Sequence, residues 1–399
     1  MFNRRTLLGV SAATVAAASL LPGAKVYARG KAGSFPGDIE PRGTVGRVER
    51  LPRLDLESQQ DFLTGLRGWV NKDLVKVCRD RTTRILEKNG LDPKADISLE
   101  RALELLKDDP ILGTRWRAWI SLQQATWRQL LDEFHGNYDR YMSEMEAADK
   151  AGPGTLELNP GMKLPDYTRH EIHLQPGGYV GDPFAGHVYH YGTNNFFADR
   201  NNQDELHIEQ ARAIPPPPAD GKVRRILDMG CSCGQMTVAL KERFPDAEVW
   251  GIDVGGPMVR YAHMRAVDLG VDVNFAQRLA EDTKFPDGHF DIVTSFILHH
   301  EVSTEASKQI IREAHRVLRR GGVFYPIDFF THGELSHPKR AFELAHWWWA
   351  HRWNHEVLYY DYANVDYLGE MSKAGFIVDQ NGPPSRSDYK VNLMGVKPV

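Results

Sequence analysis

The sequence predicts an α/β protein, with a doubly wound, mostly parallel sheet in its C-terminal half and an α-helical domain ahead of it. Three observations carry this. From about residue 222, short apolar runs alternate with helix-like segments, the texture of a parallel sheet covered by helices on both faces. Residues 56–149 instead space their apolar side chains close to the helical period, as core-facing helices do. Between the two textures lies Pro215 to Pro218, a stiff polyproline spacer.

The chain has 399 residues, 42% hydrophobic and 26% charged, with a formal net charge of −4. That excludes a disordered chain, a collagen-like chain and a polytopic membrane protein. There is no basic field, so nucleic acid is not an expected partner. Three cysteines are too few for a disulfide framework.

In chain order, Arg4 and Arg5 precede an apolar run from Leu7 to Leu21, and Val26-Tyr27-Ala28 fits a small-x-small cleavage site. The run is short for a membrane span. Residues 1–28 resemble a twin-arginine export signal, departing from it at Asn3 and Leu7. The expected location is periplasmic or otherwise exported, with action in the cytoplasm before export left open. Residues 29–150 form an arm and a helical domain. A helix over 56–89 carries Phe62, Leu63, Leu66, Trp69, Val70, Val77, Ile85 and Leu86 and stops at Asn89-Gly90. A second spans about 98–108. A third runs from Trp116 to Asp149 on a stripe of Trp116, Trp119, Ile120, Trp127, Leu130, Leu131 and Phe134. Residues 151–221 read as a lid rich in His, Gly and Tyr that ends in the proline linker, with 151–165 a loop.

Strands are predicted at Arg225–Asp228, Glu248–Asp253, Val271–Ala276, Phe290–Phe296 and Val323–Phe329. Helices follow from about Gln235 and Pro257 and over 304–319. The first strand runs into Met229-Gly230-Cys231-Ser232-Cys233-Gly234, a glycine-rich turn where backbone can approach a ligand. The second ends at Asp253, where an acid can bridge ribose hydroxyls or cap the next helix.

With Glu281-Asp282 ahead of the fourth strand, Phe296 to His300 after it and Arg316 to Gly322 before the fifth, these motifs fall in a familiar order. They resemble class I S-adenosylmethionine-dependent methyltransferases, nearest the branch of ubiquinone and menaquinone C-methyltransferase-like enzymes. The resemblance covers about residues 222–399. It implies a Rossmann-like fold, S-adenosylmethionine as cofactor and methyl transfer, while the tryptophan density of residues 346–353 suggests a small, apolar or aromatic acceptor. Asp228, Gly230, Ser232 and Gly234 match the motif around the methionine part. Asp253 matches the ribose-binding acid, Glu281 and Asp282 the adenine-facing segment, and Phe296 a cofactor contact at the transfer cleft. Three positions depart from the pattern: Ser232 replaces a glycine, Gly255 stands where a capping Ser is common, and Leu279 where Asp is common.

Such a transfer needs alignment and exclusion of water. A base is needed only if the acceptor must lose a proton, and His300 or His299 is the candidate, each open to a reading as a helix-start or core residue. Residues 331–363 form a tryptophan-rich insertion. Its Trp348 is a candidate acceptor contact, the alternatives being packing on the N-terminal helices or contact with a membrane surface. Tyr179 is a candidate lid contact or part of an ordinary turn. No metal site is expected: Cys231-x-Cys233 is too tightly spaced for zinc, though the two could pair in an oxidising compartment. His170 with His173, His187 with His190, and His351 with His355 more often line polar clefts. Gly230-x-Ser232-x-Gly234 also fits a nucleophile elbow, with Asp291 and His332, His337 or His346 as partners, but that leaves Asp253 unexplained. The other class of function is an exported binding protein that does no chemistry.

Overall fold

The computed structural model describes residues 44–45, 47–49, 51, 53–197, 201–329, 340–378 and 390–399. The export-signal residues 1–28 and residues 330–339 of the insertion, with His332 and His337, lie outside the described residues.

A short hairpin of β1 (Thr44–Val45) and β2 (Val48–Glu49) leads into the helices. α1 (Leu54–Trp69) continues through a π turn at Val70–Leu74 into α2 (Val75–Lys88). α3 (Leu99–Leu106) starts at Ser98, whose side chain accepts from the Arg101 N–H. The third predicted helix is two. α4 (Pro110–Gly136) starts earlier than expected because Asp109 accepts from the N–H groups of Ile111 and Leu112, with Pro110 in the first turn. Asn137, at φ −119° and ψ 35°, breaks it from α5 (Tyr138–Ala148).

The main sheet runs β3 (Leu156–Glu157), β6 (Asn274–Gln277), β5 (Glu248–Asp253), β4 (Arg225–Met229), β7 (Phe290–Phe296), β8 (Leu318–Phe329), β11 (Gly395–Val396), β9 (Ile377–Val378). The first six are parallel neighbours. β11 is antiparallel to β8 and β9, and β10 (Lys390–Asn392) also lies antiparallel to β8. β3 corrects the loop expected over 151–165. Two residues carry no alternation to read, but they cover the edge of β6, and the Thr155 carbonyl accepts from the Phe275 N–H at 2.8 Å. Strand order reverses between β4 and β7, which places a ligand crevice at the carboxyl ends of these strands.

α8 (Gln235–Arg243), α9 (Gly256–Leu269) and α10 (Thr304–Val317) flank the sheet and close an apolar core on each face. Before the sheet come α6 (Ala185–Phe196) and α7 (Glu205–Ala213). The helical part shares cores with the sheet part. Trp127, Phe134 and Phe184 pack with Tyr261 and Met264 of α9. α11 (Ala341–Trp353) buries Trp349 against Leu106 and Trp116. α12 (Tyr359–Ala363) and α13 (Tyr367–Lys373) close the fold before β9. Among the described residues, no helix is long and apolar enough to cross a membrane.

Candidate active site

The crevice holds about 940 Å³ of space, open mouth included. One side comes from the ends of β4, β5 and β7: Gly230, Ser232, Asp253, Val254 and Phe296 to Leu298. The other comes from the segment ahead of the sheet, chiefly Tyr167, Ile172, His173, Tyr179 and Tyr189.

Asp253 ties the first side together. Its Oδ2 accepts from the Ser232 N–H at 3.0 Å and its Oδ1 from the Gly255 N–H at 2.8 Å. Burial pushes its carboxyl above the ordinary range against the pull of these donors. The glycine loop needs glycine at Gly230. It sits at φ +70°, and a Cβ there would lie 2.7 Å from Leu298 Cδ1. At Gly255 a Cβ would lie 2.7 Å from the Tyr179 carbonyl oxygen. The covering segment rests directly on that turn, so glycine replaces the usual capping serine. Glu281 Oε1 accepts from the Tyr167 hydroxyl at 2.6 Å, while its Oε2 is buried without a partner. Tyr179 and Tyr189 meet edge to face at 5.4 Å.

The structure thus brings Gly230, Ser232, Asp253, Glu281, Phe296 and Tyr179 to one cavity. The other sequence candidates lie off its wall. Gly234, at φ +77°, heads α8. Asp282 is half-exposed beside Lys284. Trp348 packs with the α3–α11 cluster, because Trp116 and Trp349 dock α11 onto the helical part. Asp328 on β8 captures both candidate bases. Its Oδ2 accepts from the His299 backbone N–H and its Oδ1 from His300 Nδ1, each at 2.7 Å. Burial opposes charge on the His300 ring, but Asp328 and Glu301 outweigh it and hold the pKa well above the usual value. His300 Nε2 lies 3.4 Å from Glu301 Oε1, so both ring nitrogens are engaged. Burial pulls His299 down to about 4, leaving it neutral with Nδ1 at 2.8 Å from Ser307 Oγ.

Asp228 is fully buried inside β4, and its Oδ2 accepts from Thr237 Oγ1 at 2.7 Å, anchoring α8. Burial pushes its carboxyl up to about 7 from 3.8. Between these values the folded state holds a proton that the unfolded state has lost, so stability falls as pH rises through this window. The full cost above pH 7 is roughly 4 kcal/mol. Asp228→Asn is expected to melt progressively higher than the parent as pH goes from 5 to 8. A constant gap in parallel thermal unfolding would refute this.

The sequence did not single out Tyr167, Arg278 or Glu301, which also line the cavity. Glu301 had a signal: it directly follows His299-His300 at the end of the fourth strand motif. Arg278 had none. A nucleophile role for Ser232 finds no support in its surroundings. Asp291 sits at the other end of β7, accepting from the Arg224 and Arg225 N–H groups, and His346 packs on Trp116 at 4.9 Å.

Residues 226–322 match a family described as a methyltransferase domain. Demethylmenaquinone methyltransferase of Thermus thermophilus is 36% identical over 124 residues, 31% of this chain and 53% of that protein. Ubiquinone biosynthesis O-methyltransferase of Pseudomonas aeruginosa is 34% identical over 100 residues, 25% of this chain and 41% of that protein. The chain thus spans about half the length of the curated relatives it matches. The solved structure of magnesium protoporphyrin IX methyltransferase from Synechocystis PCC 6803 with bound SAM aligns with a TM-score of 0.34. The identity is 16%, over 51% of this chain and 84% of that one.

Over residues 226–322 the chain is thus similar to a methyltransferase domain, for which S-adenosylmethionine is the expected cofactor. The residues present fit that cofactor. The glycine loop leaves a cradle that a Cβ at Gly230 would fill, Asp253 ends β5 beside it, and Glu281 offers an orphaned oxygen. Gly230→Ala is therefore expected to cost about 1–2 kcal/mol in backbone strain alone and to weaken cofactor binding about tenfold or more. Thermal unfolding and calorimetry check both.

Proposed function

We propose that this chain transfers a methyl group from S-adenosylmethionine to a small aromatic or apolar acceptor of quinone-like kind. The observation that carries this reading is Asp253 bonded to the glycine loop at one side of a cavity whose other side is lined by tyrosines. Both curated relatives described above are named as methyltransferases of quinone biosynthesis or of a demethylquinone, which supports the acceptor class.

When bound, the cofactor supplies an electrophilic methyl group on a sulfonium. Asp253 holds the ribose hydroxyls, Gly230 and Ser232 admit the methionine part against backbone, and Glu281 faces the adenine end. Tyr179, Tyr189, Phe296 and Val302 exclude water and leave an apolar surface for the acceptor. Burial alone would raise the Glu301 carboxyl, but His300 and His173 override it and hold it down at about 2. Glu301 therefore presents a fixed negative charge to a cationic reactant.

The test is label transfer from methyl-labelled S-adenosylmethionine to a panel of phenols and hydroxylated quinones. Label in an acceptor is expected. Cofactor binding with no transfer to any acceptor would favour a binding protein instead. The reading includes export through residues 1–28, with Arg4 and Arg5 read by a twin-arginine route. Changing both to lysine is expected to leave the protein in the cytoplasm. A membrane-surface contact is supported by Leu54, Phe62, Trp69 and Val77, which are exposed along α1 and α2. Flotation with liposomes tests it.

A further inference from the structure

We propose that His173, Glu301 and Glu356 form a divalent-cation site in the wall of the cavity. The three side chains come from separate segments: the turn at Ile172–Leu174, the turn after β7, and the stretch between α11 and α12. One ligand atom from each lies within 4.8 Å of the others. His173 Nδ1 is 2.8 Å from Glu356 Oε1, and His173 Nε2 is 3.4 Å from Glu301 Oε1. One ion takes only one of these ring nitrogens, so the carboxylate facing the other nitrogen must turn towards it, closing the 4.8 Å spread of donors to the roughly 3.4 Å set by metal–ligand bonds of about 2.0–2.2 Å in a tetrahedral ion.

A second observation points to a ligand. Glu356 is only 7% exposed, yet its Oε2 has no hydrogen-bond partner. A buried carboxylate oxygen without a donor is costly, and a cation would satisfy it. Outer partners hold the donors in place. Asn354 Nδ2 donates to Glu356 Oε1 at 3.2 Å, and His300, itself fixed by Asp328, stands 3.4 Å from Glu301 Oε1. The His173 carbonyl accepts from Trp127 Nε1 at 2.8 Å and from Gln123, which pins this residue to α4.

One imidazole with two carboxylates suits zinc, manganese or ferrous iron better than calcium or magnesium. In the metal-free protein, the His173 ring bridges the two carboxylates as a cation. Metal binding replaces its proton, which leaves to solvent. His173 and Glu301 line the cavity, and Glu356 is the third donor beside them. The site shares Glu301 and the cavity wall with the proposed methyl-transfer site, while its own support is these three side chains.

The test is calorimetric titration of the metal-free full chain with Zn²⁺ and, separately, Mn²⁺, in the absence of cofactor. One site of micromolar or tighter affinity is expected. His173→Ala and Glu356→Gln should each weaken it at least about tenfold, and His135→Ala, a change at a surface ion pair, should not. Should the variants fail to fold, X-ray absorption on the zinc-loaded parent decides: a mixed nitrogen and oxygen shell with one imidazole is expected. No binding up to millimolar metal, binding untouched by both folded variants, or a shell without imidazole overturns the proposal. Label transfer by the metal-free chain is read separately, so failure of the metal site leaves the methyl-transfer reading standing.

Discussion

Asp253→Ala is expected to weaken S-adenosylmethionine binding about a hundredfold or more while leaving the protein folded. Two losses combine. In the proposed reading the carboxylate accepts from the ribose hydroxyls, and hydrogen bonds to a charged group are worth about 1.5–3 kcal/mol each. It also tethers the Ser232 and Gly255 N–H groups, at 3.0 and 2.8 Å, across the two turns that frame the cavity. Alanine leaves both donors without that partner and lets the glycine loop drift from β5. A net loss of about 3 kcal/mol corresponds to roughly a hundredfold in Kd. Calorimetry with S-adenosylmethionine and S-adenosylhomocysteine, on protein whose circular dichroism matches the parent, gives the answer. A Kd within about threefold of the parent would remove Asp253 from the cofactor site, and with it the main support for the proposed activity.

The sheet was readable in advance because each strand is a short apolar run bounded by a glycine or acidic turn. β5 and β7 have the predicted ends, and β4 extends by Met229 alone. The failures are local. β3 has two residues, Leu156 and Glu157, and no periodicity can show in two residues. Asn137 interrupts a helix whose apolar stripe continues on both sides, so the stripe predicted one helix where there are two.

One side of the cavity was readable for a similar reason: its residues cluster in short motifs along the chain. Gly230, Ser232 and Asp253 stand in the two motifs, glycine loop and acidic strand end, that carry the family resemblance. The rest of its wall is assembled from residues far apart, such as His173, Tyr189 and Glu301, and only the fold joins them. His300 shows the limit of motif reasoning. It follows the right strand, yet Asp328, itself on the next strand, turns its ring inward and holds it charged.

The largest stability effect is expected from Asp204→Asn, with a loss of about 3–5 kcal/mol. Asp204 is fully buried, and Arg265 is only 4% exposed. Asp204 accepts from Arg265, from Gln235 Nε2 at 2.7 Å and from Arg47 Nη1 at 3.4 Å. Burial alone would raise its carboxyl, but Arg265 and nearby histidines outweigh it and hold it low, so it carries a full charge. Taking that charge away strands a guanidinium that already has Nε and Nη1 buried without partners. Breaking one half of such a pair costs far more than the pair is worth, whereas replacing both halves with apolar groups can be close to neutral. The melting temperature should therefore fall by on the order of 10 °C in Asp204→Asn, and Asp204→Leu combined with Arg265→Met should recover most of it. The pair also bears on the site. Gln235 opens the helix after the glycine loop, and Arg265 lies on the helix after Asp253, so Asp204 sets how the two helices flank the cofactor cradle. Cofactor affinity should drop with stability in the single variant and return in the double. A single variant that melts within about 2 °C of the parent would show that Arg265 finds solvent or another partner once Asp204 is gone.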